Sequence, residues 1–251
     1  MNGVGETERL ADEPASPSAP GGSGRNLTYS LLDSLGKAIV TGRYNGNSFP
    51  TEGDLARQHG VSRSVTREAV KMLTAKGLLT ARPRKGTTVQ PSSCWNLFDP
   101  DVLRWLLERK FSIDLLRQFS ELRIAIEPAA AALAARAANP VGLAAIVAGF
   151  ERMAAAEAGD DDPLESDIAF HIAILQASAN PFYMQFRDVV ETALRTSIRF
   201  TNRFKGRTAS LPQHQDVLTA IEKRDADGAR AAMTALIADV MVLIDDAERA
   251  G

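Results

Sequence analysis

From Leu103 to the end of the 251-residue chain, apolar residues return every three or four positions and almost nowhere every two. Leu115, Phe119, Leu122 and Ile126 form one such stripe, and Ile168, Ile172 and Leu175 form another. Val217, Leu218 and Ile221 make a third, and Ala229, Met233, Leu236, Ile237, Val240 and Ile244 mark a long final one. A stripe at this spacing lines one face of an α-helix, and helices of this kind hide their apolar faces against one another. The interruptions fall at Asn139-Pro140, Gly159 to Pro163, Asn180-Pro181 and Gly206 to Pro212, where Gly and Pro act as breakers. The pattern predicts an antiparallel all-α bundle. Pro128 lies inside it, and a residue without an N–H to donate is expected to kink or break its helix.

The N-terminal part reads differently. Residues 1–26 are rich in Pro, Gly, Ser and Ala, which lack the apolar side chains to offset ordering, so a disordered tail is expected. Residues 27–91 form a compact unit. Leu31, Leu32, Leu35 and Ile39 repeat at helical spacing, with a stop at Gly42. Thr51 and Asp54 have the spacing of a capping box and open a short helix carrying Leu55 and Ala56. Gly60 is suited to end it, Ser62 to cap the next helix, and Gly77 to end that one. Two short helices across Gly60-Val61-Ser62 make a helix-turn-helix, with an inner face expected at Val65, Ala69, Met72 and Leu73. The β-like runs Leu78-Leu79-Thr80 and Thr87-Thr88-Val89 flank Arg82-Pro83-Arg84-Lys85-Gly86 and predict a hairpin wing. The fold class is therefore mainly α, a winged helix-turn-helix followed by a helical bundle over residues 115–251, with 92–114 as linker and docking helix.

Charge separates the same two units. The overall charge of −2 divides into eleven Lys+Arg against four Asp+Glu in residues 25–91, and seventeen against twenty-three in residues 92–251. A basic unit joined to an acidic one suggests that only the first meets a polyanion, although clustered surface charge alone gives the same count. The single Cys94 excludes an internal disulfide. No apolar run approaches the ~20 residues of a membrane span, and the acidic N-terminus carries no secretory signal, so a cytoplasmic protein without membrane contact is expected.

On a helix starting near Ser62, the residues Arg63, Ser64, Thr66, Arg67 and Lys71 avoid the inner stripe as read above. Arg forks read guanine edges, while hydroxyls and Lys hold phosphates; a solvated polar face is the commoner meaning of such a pattern. The flanking turn and the basic wing, suited to a minor groove, argue for DNA. Phe49-Pro50-Thr51-Glu52, Leu55-Ala56, Gly60 to Ser64, Arg67 to Val70, Leu73, Gly77-Leu78-Leu79 and Lys85-Gly86-Thr87 resemble, in order and spacing, the winged helix of the GntR family. The resemblance implies an operator-binding repressor of double-stranded DNA, with Arg63 and Arg67 as principal contacts and Ser62, Ser64 and Gly86 near the backbone. Lys71 and Lys85 join them. Gly53 departs from it, because many members carry a charged residue there. Glu68 is expected to pair within the domain.

The chain has three histidines. His59 sits beside the turn and reads as a surface or capping residue. Asp167 and His171, four apart, share a helix face and could grip one metal ion, and His214 could join them; an Asp–His pair bonded to itself or to water is the ordinary meaning of this spacing. Glu121-Leu122-Arg123 with Glu127-Pro128, Leu133-Ala134-Ala135, Asp167 with Phe170-His171, Ser178 to Pro181, and His214 with Ala220-Ile221 resemble the FCD sensor domain of the FadR-type branch of that family. The resemblance implies that Asp167, His171 and His214 ligate a divalent metal, zinc first with nickel or manganese as alternatives. It also implies tolerance of Pro128. Many members add a histidine in the last helix, where Leu236 stands here. Arg123 either pairs with Glu127 one turn later or aims a guanidinium at an effector carboxylate; Asn180 and Arg195 are further candidates for the effector site. The segment Trp95 to Trp105 resembles the linker of sugar-acid-responsive members, and its tryptophans are expected to dock head on bundle.

Together these features predict a homodimeric repressor, since helix-turn-helix proteins read two-fold-related half-sites, controlled by a small carboxylate such as a sugar acid. Two alternatives stand beside it: a metal-dependent enzyme acting on a hydroxy acid through Asp167, His171 and His214, and a regulator whose cavity has lost its effector and only stabilises the dimer, the reading that Leu236 favours. The chain has no paired general acid and base, phosphate loop or HExxH helix to support the enzyme.

Overall fold

The computed structural model describes residues 22–44, 48–82, 86–109, 112–204 and 210–250. The first helix, α1, spans Gly22–Val40 and thus begins within the stretch expected to belong to the tail, whose residues 1–21 lie outside the described ones. Leu31, Leu32, Leu35 and Ile39 are buried on one side of it, as their spacing requires. Helices α2 (Glu52–His59) and α3 (Arg63–Ala75) follow. Thr51 and Asp54 make the reciprocal capping box: Thr51 Oγ1 accepts from the Asp54 N–H at 3.2 Å, and Asp54 Oδ2 accepts from the Thr51 N–H at 3.2 Å. Gly60 ends α2 at φ 63°, the left-handed region that glycine enters without a Cβ clash. Ser62 caps α3, accepting from Val65 N–H at 3.3 Å. Strands β1 (Leu79–Arg82) and β2 (Gly86–Val89) pair antiparallel, with Leu79 opposite Val89 and Arg82 opposite Gly86. They are the expected wing.

A 3-10 turn at Ser92–Cys94 leads to α4 (Pro100–Leu106), capped by Asp99. The bundle comprises α5 (Ile113–Ala137), α6 (Pro140–Ala158), α7 (Pro163–Ala177), the short α8 (Pro181–Met184), α9 (Arg187–Phe204), α10 (Leu211–Glu222) and α11 (Ala226–Ala250). Helix α11 lies along α5, α6 along α7, and α10 against α11. The expected break at Pro128 does not occur. Helix α5 runs unbroken through it, because Ile126, Ala130, Ala131, Ala134 and Ala135 continue the buried stripe on either side, and packing holds the helix across the missing rung. Close approach of α6 to α7 depends on Gly149, where a Cβ would meet the Phe170 Cα at 2.9 Å. Leu236 is buried in the same core.

One apolar cluster joins head and bundle. It contains Leu32, Leu35, Leu55, Leu73 and Leu78 of the head, Val102, Leu103, Trp105 and Leu106 of α4, Phe119 of α5, and Val189 and Ala193 of α9. The Trp105 indole is fully buried and donates to Asp33 Oδ1 at 2.8 Å, and Arg104 donates to the same oxygen at 3.0 Å. Burial opposes the charged form of Asp33, yet the Trp105 and Arg104 hydrogen bonds with the Lys37 and Arg104 charges lower its pKa on balance. Trp95 docks too, donating its Nε1–H to the Gln90 carbonyl at 3.0 Å. Trp105 thus joins head and bundle as an anchor, whereas the hydrogen bond of Trp95 is local and Trp95 packs only at the edge of the shared cluster.

Candidate functional site

The reading face is built by α3. Arg63 opens the helix fully outward and has no ion-pair partner among the described residues. Arg67 is exposed and meets Glu52 of α2 at 3.4 Å, while Glu68 turns to Lys71 at 3.7 Å. Exposed pairs of this kind contribute about 0–1 kcal/mol, so Arg67 and Lys71 can leave them for a phosphate or a base edge. Ser62 and Ser64 share a hydrogen bond at 2.8 Å between their hydroxyls. Gly86, at φ 78°, begins β2. Lys85 lies outside the described residues. Thr66 is a correction. It is completely buried and donates its hydroxyl to the Ser62 carbonyl at 3.2 Å, so it belongs to the inner stripe of Thr66, Ala69, Val70 and Leu73 rather than to the reading face. Val65 and Met72, assigned to that stripe, are only half-buried.

The second constellation lies in the bundle. Asp167 and His171 project from α7, and His214 from the first turn of α10; all three are buried, and their ligand atoms lie within 4.8 Å of one another. The hydrogen bonds of the imidazoles fix which nitrogens face inward. His214 Nδ1 lies 2.8 Å from the Ser210 carbonyl, which can only accept, so Nδ1 carries the proton. His171 Nδ1 donates in the same way to Glu127 Oε2. With Nδ1 so engaged, it is Nε2 of each ring that faces Asp167 Oδ1, at 3.0 Å from His214 and 3.7 Å from His171. The shorter distance would suit a hydrogen bond, but the geometry makes none, and His214 Nε2 is the buried side-chain atom left without a partner among the described residues. Three metal-ligating side chains converge, and each imidazole offers its Nε2 as an electron pair when the ring is neutral. Two imidazole nitrogens and one carboxylate oxygen so placed are a possible ligand set for a metal ion.

Charge around the cluster is balanced from behind. Arg123 and Glu127, buried on α5 one turn apart, meet at 2.5 Å through Arg123 Nε and Glu127 Oε1. Burial would raise the Glu127 carboxyl, but the Arg123 and His171 charges and hydrogen bonds bring it down to about 2. Burial likewise opposes the charged form of Asp167, outweighed by the hydrogen-bonding proximity of His214 and the charges of His171, His214 and Arg123, so its pKa is lowered. Arg123 thus makes the Glu127 pair while standing close enough to act on Asp167, and its Nη1 is not engaged by Glu127. The other two effector candidates are already engaged. Asn180 caps α8, accepting from Phe182 N–H at 3.0 Å, and Arg195 is held by Glu165 at 2.7 Å and Glu191 at 2.9 Å. Both side chains are occupied by local structure. The sequence offers Glu127 as a partner for Arg123; its charge at i+4 on an apolar face is the sign that it is buried and shared with His171.

Residues 28–89 match the family model for bacterial regulatory proteins of the gntR family, and residues 118–239 match the FCD domain. The HTH-type transcriptional regulator YieP of Escherichia coli is 36% identical over 216 residues, covering 85% of this chain and 93% of that protein. The galactonate operon transcriptional repressor of Escherichia coli is 34% identical over 218 residues, covering 85% and 94%. A solved structure of the Listeria monocytogenes regulator Lar shares the fold, with a TM-score of 0.57 at 20% identity over 88% of this chain and 97% of that one. No helix among the described residues is long and apolar enough to cross a membrane. With a winged helix-turn-helix ahead of an FCD domain, and relatives above 30% identity along nearly their whole length, this chain belongs to the GntR family of bacterial transcriptional regulators.

Proposed function

We propose that the protein is a homodimeric repressor whose grip on operator DNA is set by a small carboxylate, a sugar acid being the leading class, bound at a metal centre of Asp167, His171 and His214. The observation that carries the reading is the convergence of the two Nε2 lone pairs on the Asp167 carboxylate, with His214 Nε2 otherwise unpartnered. A bound metal ion offers a Lewis-acidic open position to a carboxylate or hydroxyl oxygen. The residues do the rest. With neutral imidazoles, Arg123 cancels Glu127 and Asp167 leaves the cluster at one negative charge, which repels a carboxylate. A divalent ion turns this into one net positive charge, which a monocarboxylate neutralises. Metal should therefore precede effector. Similarity to a repressor of a galactonate operon supports a hydroxylated carboxylate.

On the DNA side, Arg63 and Arg67 read bases, with Ser62, Ser64, Lys71, Lys85 and Gly86 against the backbone. An effector shifts operator affinity only if it binds the two conformations of the dimer differently. The test is a thermal-shift screen of sugar acids on the full-length protein, with and without chelator, alongside His171→Ala. Stabilisation by a ligand should appear only with metal present. His171→Ala should retain operator binding and lose both metal and effector response; a variant that still released DNA on adding ligand would move the effector site elsewhere. Turnover of a sugar acid by the purified protein would favour an enzyme instead.

A further inference from the structure

Glu127 lies behind the three ligand atoms and touches none of their inward-facing positions, yet it is as buried as they are. Its two oxygens are not used alike. Oε1 takes Arg123 Nε at 2.5 Å, whereas Oε2 stands 3.5 Å from Arg123 Nη2 and instead receives His171 Nδ1. A carboxylate serving the guanidinium alone would accept two parallel bonds of similar length. Here the second oxygen is drawn off the fork toward the imidazole. That bond leaves the His171 ring with Nε2 as its free electron pair, facing Asp167.

We propose that Glu127 is a positioning residue of the metal centre, holding His171 in the tautomer and orientation that ligate, with Arg123 as the counter-charge that lets Glu127 remain buried and ionised in place. The inference rests on the metal reading above and extends it one layer outward. Arg123 makes the arrangement affordable electrostatically: without it Glu127 and Asp167 would put two uncompensated negative charges among buried side chains. A carboxylate behind a ligating histidine also raises the basicity of the ring and so its affinity for metal. The assignment changes the part Arg123 plays. Its Nε and one Nη are committed to Glu127, so any effector contact falls to Nη1.

The experiment compares wild type, Glu127→Gln, Glu127→Asp and Arg123→Lys as full-length proteins. Zinc affinity is measured by competition with a chromophoric chelator, the visible spectrum is taken with Co²⁺ in the site, and thermal unfolding is followed after chelator treatment. Glutamine keeps an acceptor for His171 Nδ1 but loses the charge, so zinc affinity should fall about 10–100-fold and the Co²⁺ bands should shift. Glu127→Asp, charged but shorter, should recover part of the affinity. Metal-free melting should change far less than affinity does. Wild-type affinity and an unaltered Co²⁺ spectrum in Glu127→Gln would overturn the proposal while leaving the metal reading intact. A wild type that binds neither Zn²⁺ nor Co²⁺ would overturn both. If Glu127→Gln does not fold, Glu127→Asp decides: its carboxylate stops one methylene short of His171 Nδ1, so unweakened zinc binding and an unaltered Co²⁺ spectrum in that variant overturn the proposal, while Arg123→Lys, which keeps the counter-charge, should bind zinc like wild type.

Discussion

Replacing Gly36 by alanine measures how closely the DNA-binding head is seated on the docking helix. A Cβ at Gly36 would lie 2.4 Å from two ring carbons of Trp105 and 2.5 Å from a third. Ordinary carbon contacts are about 3.5–4.0 Å, so α1 and the indole must part by about 1 Å. The ring has little room to yield, because it is fully buried and tied to Asp33 at 2.8 Å, one turn earlier on the same helix. Two effects oppose each other. Alanine is favoured over glycine inside a helix by about 0.8–1 kcal/mol, and overpacking costs about 1–3 kcal/mol. The single substitution should therefore be destabilising by about 0–2 kcal/mol, too small a window to interpret alone. The sign reversal is decisive. Trp105→Ala should cost about 3–5 kcal/mol and open the space, and in that background Gly36→Ala should stabilise by about 1 kcal/mol. Urea unfolding of the full chain, followed by far-ultraviolet circular dichroism, gives the four stabilities and an interaction energy of about 1–3 kcal/mol. Equal effects of Gly36→Ala in both backgrounds would refute the contact between α1 and Trp105 as the seat of the head.

Two further outcomes are expected on the DNA side. Arg63→Ala should weaken operator binding by about 1–3 kcal/mol and relax base preference in a gel-shift series, whereas Thr66→Val, altering only a buried side chain, should leave operator affinity unchanged; a reversed pair of results would restore Thr66 to the reading face. Gly53 has open space, its added Cβ meeting only Thr51 Oγ1 at 3.8 Å, so Gly53→Lys should make the fall of log K with log salt concentration steeper by about 0.9, and an unchanged slope would place α2 away from the phosphates.

Local chemistry made the head legible in the sequence. Thr51 with Asp54, Gly60 and Ser62 are signals read within four residues of chain, and each makes the hydrogen bond or takes the backbone angle its position demands. The phase of α3 was harder. Stripes on Val65-Ala69-Met72-Leu73 and Thr66-Ala69-Val70-Leu73 differ mainly in whether Thr counts as polar, and its hydroxyl is satisfied inside the helix by the Ser62 carbonyl, so it can be buried at little cost. Tertiary packing decided Pro128, since the alanines beyond it are buried against other helices. Asp167, His171 and His214 come together as expected. Arg195 and Asn180 are engaged in an ion pair and a helix cap, partners that composition alone does not reveal.

One helix runs from the Asp167, His171 and His214 cluster to the head. Glu127 and Phe119 are eight residues apart on α5, about 12 Å along its axis, and Phe119 is already part of the cluster that contains Trp105 and the head core. Lys76, at the C-terminal end of the reading helix α3, grips the start of α4 from the other side, at 2.8 Å from both Asp99 and Asp101. Helix α4 is thus clamped to α3 by charge, to α1 by the indole, and to α5 and α9 by apolar contact. Beside Glu127, Pro128 offers no N–H to the Ile124 carbonyl, so α5 lacks one rung there and depends on packing for its continuity. An effector at the proposed centre that displaced His171 would therefore meet Glu127 first, and α5, which carries both Glu127 and Phe119, is the element through which the cluster around Trp105 would feel it.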